Sequence, residues 1–258
     1  MGTAIGSAMA SSYASLFMGK FEDDFLSQYS FKPDLWFHFL DDIFCIWSHS
    51  LEKLYTFIED INSFHPTIKL TANVSKCTVS FLDVNVSLDD NNQIHTNIHV
   101  KETNNHQYLD YSSCHPVTCK NGIPYSQGKR YRRIISDDDK FNESLQSLRV
   151  YFRDRKYPDY VVDNALNKIS CMTQDEALCS NNKASEGSVI PFVVKYNPSL
   201  PNISNIIRKY WDLLKLSSNC SVQNLHDYRP LVAFKRPKNL KDILINSNIR
   251  SFNDNVKC

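Results

Sequence analysis

The sequence predicts an α/β chain of the α+β kind, in which a mostly antiparallel sheet with helices is followed by a helical bundle. Three observations predict it. Two apolar arms, residues 37–40 and 43–47, flank Asp41-Asp42, and residues 79–101 alternate with period two around a polar turn at 89–92; both are hairpin patterns. Between them Leu54, Phe57, Ile58, Ile61 and Phe64 recur at helical spacing. From about residue 103 onward the period is helical throughout.

Taken in order, residues 2–18 read as a tight small-residue turn entering a helix with Met9, Tyr13, Phe17 and Met18 on one face. The Asp41-Asp42 hairpin follows, and then the helix over 51–64, which Pro66 closes. Residues 68–71 read as a strand. Residues 79–88 read as one further strand, with a returning strand over 93–101. Pro124 suits a first helical turn, after which Tyr131, Ile134 and Ile135 share a side that Lys129, Arg130, Arg132 and Arg133 avoid. Phe141, Leu145, Leu148 and Phe152 form a core stripe. Pro158 opens a third helix with Val161, Val162, Ala165 and Ile169 inward, and the junction before it has the form of a helix-turn-helix. After a polar linker at 180–188 comes a helix over 201–216 and a basic stretch over 229–241. Three segments result: 1–102, 103–180 and a basic helical extension at 181–258.

With 42% hydrophobic and 12% aromatic residues in 258, the chain can bury a core, and no apolar run reaches the ~20 residues of a membrane span. No membrane partner and no targeting signal are expected, and an intracellular location, nuclear or cytoplasmic, follows. The eight cysteines include no C-x-x-C pair, which predicts reduced thiols and no structural zinc; Cys114, His115 and Cys119 are the one cluster. Net charge is +1, yet residues 1–60 hold nine acids against three lysines, leaving a basic remainder. An acidic, cation-binding head joined to a polyanion-binding body fits that asymmetry.

Adjacent carboxylates at a hairpin tip repel unless a cation neutralises them, an arrangement that phosphoryl-transfer enzymes use to hold divalent metals. Three stretches in order carry a resemblance: Gly2-Thr3-Ala4-Ile5-Gly6-Ser7-Ala8-Met9-Ala10 running into Tyr13 and Phe17-Met18-Gly19, then Phe39-Leu40-Asp41-Asp42-Ile43-Phe44, then Ser80-Phe81-Leu82-Asp83-Val84. Four more follow: His106-Gln107-Tyr108-Leu109, Ser113-Cys114-His115-Pro116, Lys120 through Gln127, and Arg236-Pro237-Lys238-Asn239-Leu240. Together they resemble the reverse transcriptases of Penelope-like retroelements, over nearly the whole chain.

The resemblance implies a partial polymerase palm with an antiparallel sheet, followed by a helical thumb. Its activity would be RNA-directed DNA synthesis with Mg²⁺, an RNA template, a DNA primer and deoxynucleotides. Asp41 and Asp42 would be catalytic and metal-ligating. Gly2, Thr3 and Gly6 would let the backbone approach the nascent base pair. Lys101, Lys120, Lys129, Arg130, Arg132 and Arg133 would grip the template–primer duplex. Asp83 reads as a local cap, and His38 and His65 as packing or surface residues. Ala8 and Ser11 replace prolines usual after the glycine turn. The third carboxylate and the basic fingers that the resemblance requires are expected upstream of Met1, and a GIY-YIG nuclease beyond Cys258. The chain therefore reads as a fragment that does not polymerise by itself. The alternative is a non-enzymatic nucleic-acid-binding module of helix-turn-helix form at 123–170.

Overall fold

The structure, a computed structural model, describes residues 7–179 and 189–238. The chain divides into two units, residues 1–105 with 131–143, and residues 106–130 with 144–258. In the first, α1 (Ala10–Gln28) runs ten residues beyond the expected helix. Its buried face is Phe21 and Phe25, whereas Met9 and Tyr13 are 68% and 52% exposed. The extension has a physical cause: Phe25 meets Phe57 of α2 (Leu51–Phe64) with ring centroids 5.4 Å apart, so the second half of α1 has something to bury against. Between the two helices lie β1 (Leu35–Phe39) and β2 (Asp42–Ile46), which place Trp36 against the same Phe21, Phe25, Phe57 and Ile61 core. Ser50 caps α2 by accepting from Lys53 N–H.

Ile68 and Leu70 pack on this core, but residues 68–71 are not the expected strand. The Asn62 side chain takes the place of a neighbouring strand, its Nδ2 donating to Leu70 O at 2.9 Å and its Oδ1 accepting from Leu70 N at 2.6 Å. A second correction concerns residues 79–88, which break into β3 (Thr78–Phe81) and β4 (Val84–Leu88). β4 then pairs with β5 (Ile94–Ile98), giving a three-stranded antiparallel sheet of order β3-β4-β5. The break is a two-residue turn in which Leu82 has φ 54°, and Leu40 at the β1–β2 tip has φ 56°. Both tips read Phe-Leu-Asp in the sequence, a shared turn signal. Phe44 and Phe81, on neighbouring hairpins, lie 5.6 Å apart.

Next come α3 (Val117–Ile134), α4 (Asp138–Asp154), α5 (Asp159–Ser170) and the short α6 (Gln174–Leu178). α3 begins seven residues before Pro124, which is fully buried inside it, because the Pro116 carbonyl already accepts from Lys120 N–H and starts the helix. The expected stripe Phe141, Leu145, Leu148 and Phe152 is buried, as are Val161, Val162, Ala165 and Ile169. The end of α3 and the start of α4 group with the first unit through Thr96, whose N–H donates to Ser136 Oγ at 3.0 Å and whose Oγ1 donates to Ile134 O at 2.5 Å. In the second unit a β-carbon on Gly128 would meet Leu166 Cδ2 at 3.0 Å, so the glycine permits the close approach of α3 and α5.

The described part of the expected helical extension is instead a strand–helix–strand unit. β6 (Val189–Lys195) pairs in parallel with β7 (Arg229–Lys235), joined through α7 (Ile203–Tyr210), a 3₁₀ turn at Trp211–Leu216, the short α8 (Cys220–Gln223) and a second 3₁₀ turn. Parallel strands need such a crossover. The helical expectation for 201–216 is met by α7 and the 3₁₀ turn; the strands escaped notice because β-branched Val193 and Val194 sit in a run too short for its period to be read.

Candidate functional site

Asp41 and Asp42 come together at the β1–β2 tip, as the hairpin reading expects, and both are exposed. Asp42 closes the ladder opposite Phe39, and Asp41 occupies the turn beside Leu40. Under the tip lies a polar relay that sequence reasoning missed. His38 of β1 sets Nδ1 3.2 Å from Glu22 Oε1 on α1 and turns Nε2 to the Leu40 carbonyl. The signal was available: Met18, Phe21, Glu22 and Phe25 repeat at helical spacing, so an acid stood on the face that packs.

Glu22 is 7% exposed. Burial pushes its carboxyl above the ordinary 4.5, opposed by the Trp36 indole and His38 and reinforced by Asp23. The native state therefore holds this proton more tightly than the unfolded chain, and stability contributed at low pH is lost as pH rises above about 4.5. Glu22→Gln is expected to gain on the parent protein between pH 4.5 and pH 7, the comparison being urea melts at both values. A gap that does not change with pH contradicts this assignment.

Among the described residues no group of three or more His, Cys, Asp or Glu could hold a metal ion. Two exposed acids on a turn do not fit the two-metal clamp of nucleotidyl transfer. Cys114, His115 and Cys119 do not form a cation site either, and the seven described cysteines are free thiols.

The basic residues divide by environment. Lys120 is 7% exposed, its ammonium donating to Tyr111 O at 2.7 Å and Ser113 O at 3.1 Å and lying over the Tyr111 ring. Arg132 is 8% exposed, paired with Asp138 at 2.6 Å and stacked over Phe141. Both cations serve the fold. Lys129 and Arg130 are half-buried, whereas Arg133 and Lys101 are exposed. Tyr131 is core and Tyr125 is exposed. Asp41, Asp42, Lys101, Arg132 and Arg133 lie in the first unit, and Lys120, Lys129 and Arg130 in the second. Gly2, Thr3 and Gly6 lie outside the described residues.

The α4–α5 junction has helix-turn-helix construction. α4 ends with Lys156 N–H on Arg153 O at 2.9 Å and Tyr157 N–H on Phe152 O at 3.1 Å, with Lys156 at φ 61°. This is a Schellman stop with lysine in the usual glycine position. Pro158 then leads into α5. Asp159 and Asp163 on α5 pair with Arg153 and Arg149 of α4, so their charges are balanced within the pair of helices, and Tyr160, Asn164 and Lys168 remain on the outer face. No helix among the described residues is long and apolar enough to cross a membrane.

Comparison with known proteins agrees with this construction. No curated protein and no solved structure matches the chain. Residues 107–167, covering α3, α4 and most of α5, match the family model of the animal helix-turn-helix domain, so the chain carries a segment similar to that domain.

Proposed function

We propose that this chain is a palm-and-thumb portion of a retroelement RNA-directed DNA polymerase whose present capacity is to hold an RNA–DNA duplex. The observation that carries the reading is the Asp41-Asp42 hairpin tip, two exposed carboxylates on a tight turn, followed in the chain by a helix-turn-helix segment. Asp41 and Asp42 would correspond to the catalytic acids of the family activity, without holding its metals by themselves. Arg133, Arg130, Lys129 and Lys101 would meet phosphates. The family match favours a second reading, a nucleic-acid-binding module without catalysis.

The test is primer extension and duplex binding on the same preparation. Binding is expected to fall steeply with salt, and charge reversal at Arg130 and Arg133 to flatten that dependence, while Asp41→Ala leaves it alone. No extension with Mg²⁺ and deoxynucleotides is expected. Extension that Asp41→Ala abolishes would make the chain a polymerase in its own right, and absence of hybrid binding would remove both readings.

A further inference from the structure

Parallel sheets are ordinarily covered on both faces, because crossover helices pack on them. The β6–β7 pair breaks that rule, with Phe192 and Phe234 exposed on one face and the other face open as well. Residues in register share a face, so Val189, Pro191, Val193 and Lys195 lie alongside Arg229, Leu231, Ala233 and Lys235. On this face Val193 is 63% exposed and Leu231 48% exposed. At its carboxyl end Lys195 and Lys235 are direct register partners. Like charges placed opposite each other on neighbouring strands destabilise the pair. Neither lysine has an acidic partner among the described residues. The chain continues from Lys235 into Arg236 and Lys238, both exposed. Across residues 189–238 eight Lys and Arg stand against Asp212 and Asp227 alone, and Asp212 is taken by Lys215 and His226.

We propose that the carboxyl end of the β6–β7 face binds the phosphodiester backbone of single-stranded nucleic acid. A phosphate between Lys195 and Lys235 turns a repulsive pair into a bridged one, which accounts for two lysines kept in register on an open face. Charge is what assigns the ligand: Phe234 and Tyr196, whose rings meet at 5.4 Å in a T-shaped contact, alternate to the opposite face, so a strand held between Lys195 and Lys235 is gripped by its phosphates and not by stacking. The contact rests on the nucleic-acid reading for its class of ligand and adds a surface on different residues from Arg130 and Arg133.

The experiment measures binding of the full chain to a fluorescein-labelled oligouridine of about 20 nucleotides, longer than the roughly 4–16 that one such site covers. Lys235→Glu and Lys195→Gln are compared with the parent protein across a salt series. Each variant loses one phosphate contact, which should lower the log–log slope by about 0.7 and weaken binding roughly 5-fold at 0.1 M salt. Lys235→Glu places an acid opposite Lys195, so its Tm should hold or rise while affinity falls, a combination that damage to the fold would not produce. Single-strand binding unchanged in both variants, with Arg130 and Arg133 reversal still effective, overturns this inference and leaves the duplex reading standing. No nucleic-acid binding by the parent protein overturns both. Binding to phosphatidylserine vesicles but not to the oligonucleotide overturns it in favour of a lipid surface.

Discussion

Phe152→Ala is expected to destabilise the helix-turn-helix segment by about 3–5 kcal/mol, the range for truncating a fully buried aromatic. Phe152 has no exposed surface, stacks on Tyr108 at 4.7 Å and meets Tyr157 at 5.0 Å. It also accepts, through its carbonyl, the Tyr157 and Arg155 N–H groups that stop α4. The change therefore opens a cavity beside the turn that orients α5. Since domains of this size are stable by only about 5–15 kcal/mol, much of the helical signal should be lost well below the parent's urea midpoint. Val150→Ala, two residues away on the exposed face, should move the midpoint by less than about 0.5 kcal/mol. Similar losses in both variants would show that the stripe is not the core of this segment.

The second large effect separates cations that look alike in sequence. Lys120→Ala is expected to cost about 2–3 kcal/mol of stability, because it leaves the Tyr111 and Ser113 carbonyls without the charged donor that they share. Arg133→Ala removes the same charge from an exposed position and should lower the salt slope of duplex binding by about 0.9. Thermal melts and salt titrations on the two variants decide the matter. If Lys120→Ala melts like the parent and binds more weakly, the buried lysine is a ligand-binding group after all.

These two predictions mark where sequence reasoning reached and where it stopped. The stripe Phe141, Leu145, Leu148 and Phe152 was legible because helical periodicity is a local property, and α2 was legible from its apolar spacing and the Pro66 that closes it. The Asp41-Asp42 tip was legible for the same reason. The second Phe-Leu-Asp turn was missed although the first displayed its pattern, since Leu82 takes a left-handed conformation that a branched aliphatic residue seldom adopts. Residues 68–71 read as strand on composition, and only the fold revealed that Asn62 supplies their hydrogen bonds.

The sequence by itself determined the order of helices and hairpins, the α+β class, the acidic tip and the buried stripe, because each follows from spacing along a few turns or one pleat. Tertiary structure alone decided which of Lys120, Arg132 and Arg133 are spent on the fold, that Glu22 and His38 support the tip, and that Lys195 and Lys235 face each other across parallel strands. Those pairings join residues 6 to 40 positions apart, and a charge shows its role only when the atoms that desolvate or neutralise it are in place.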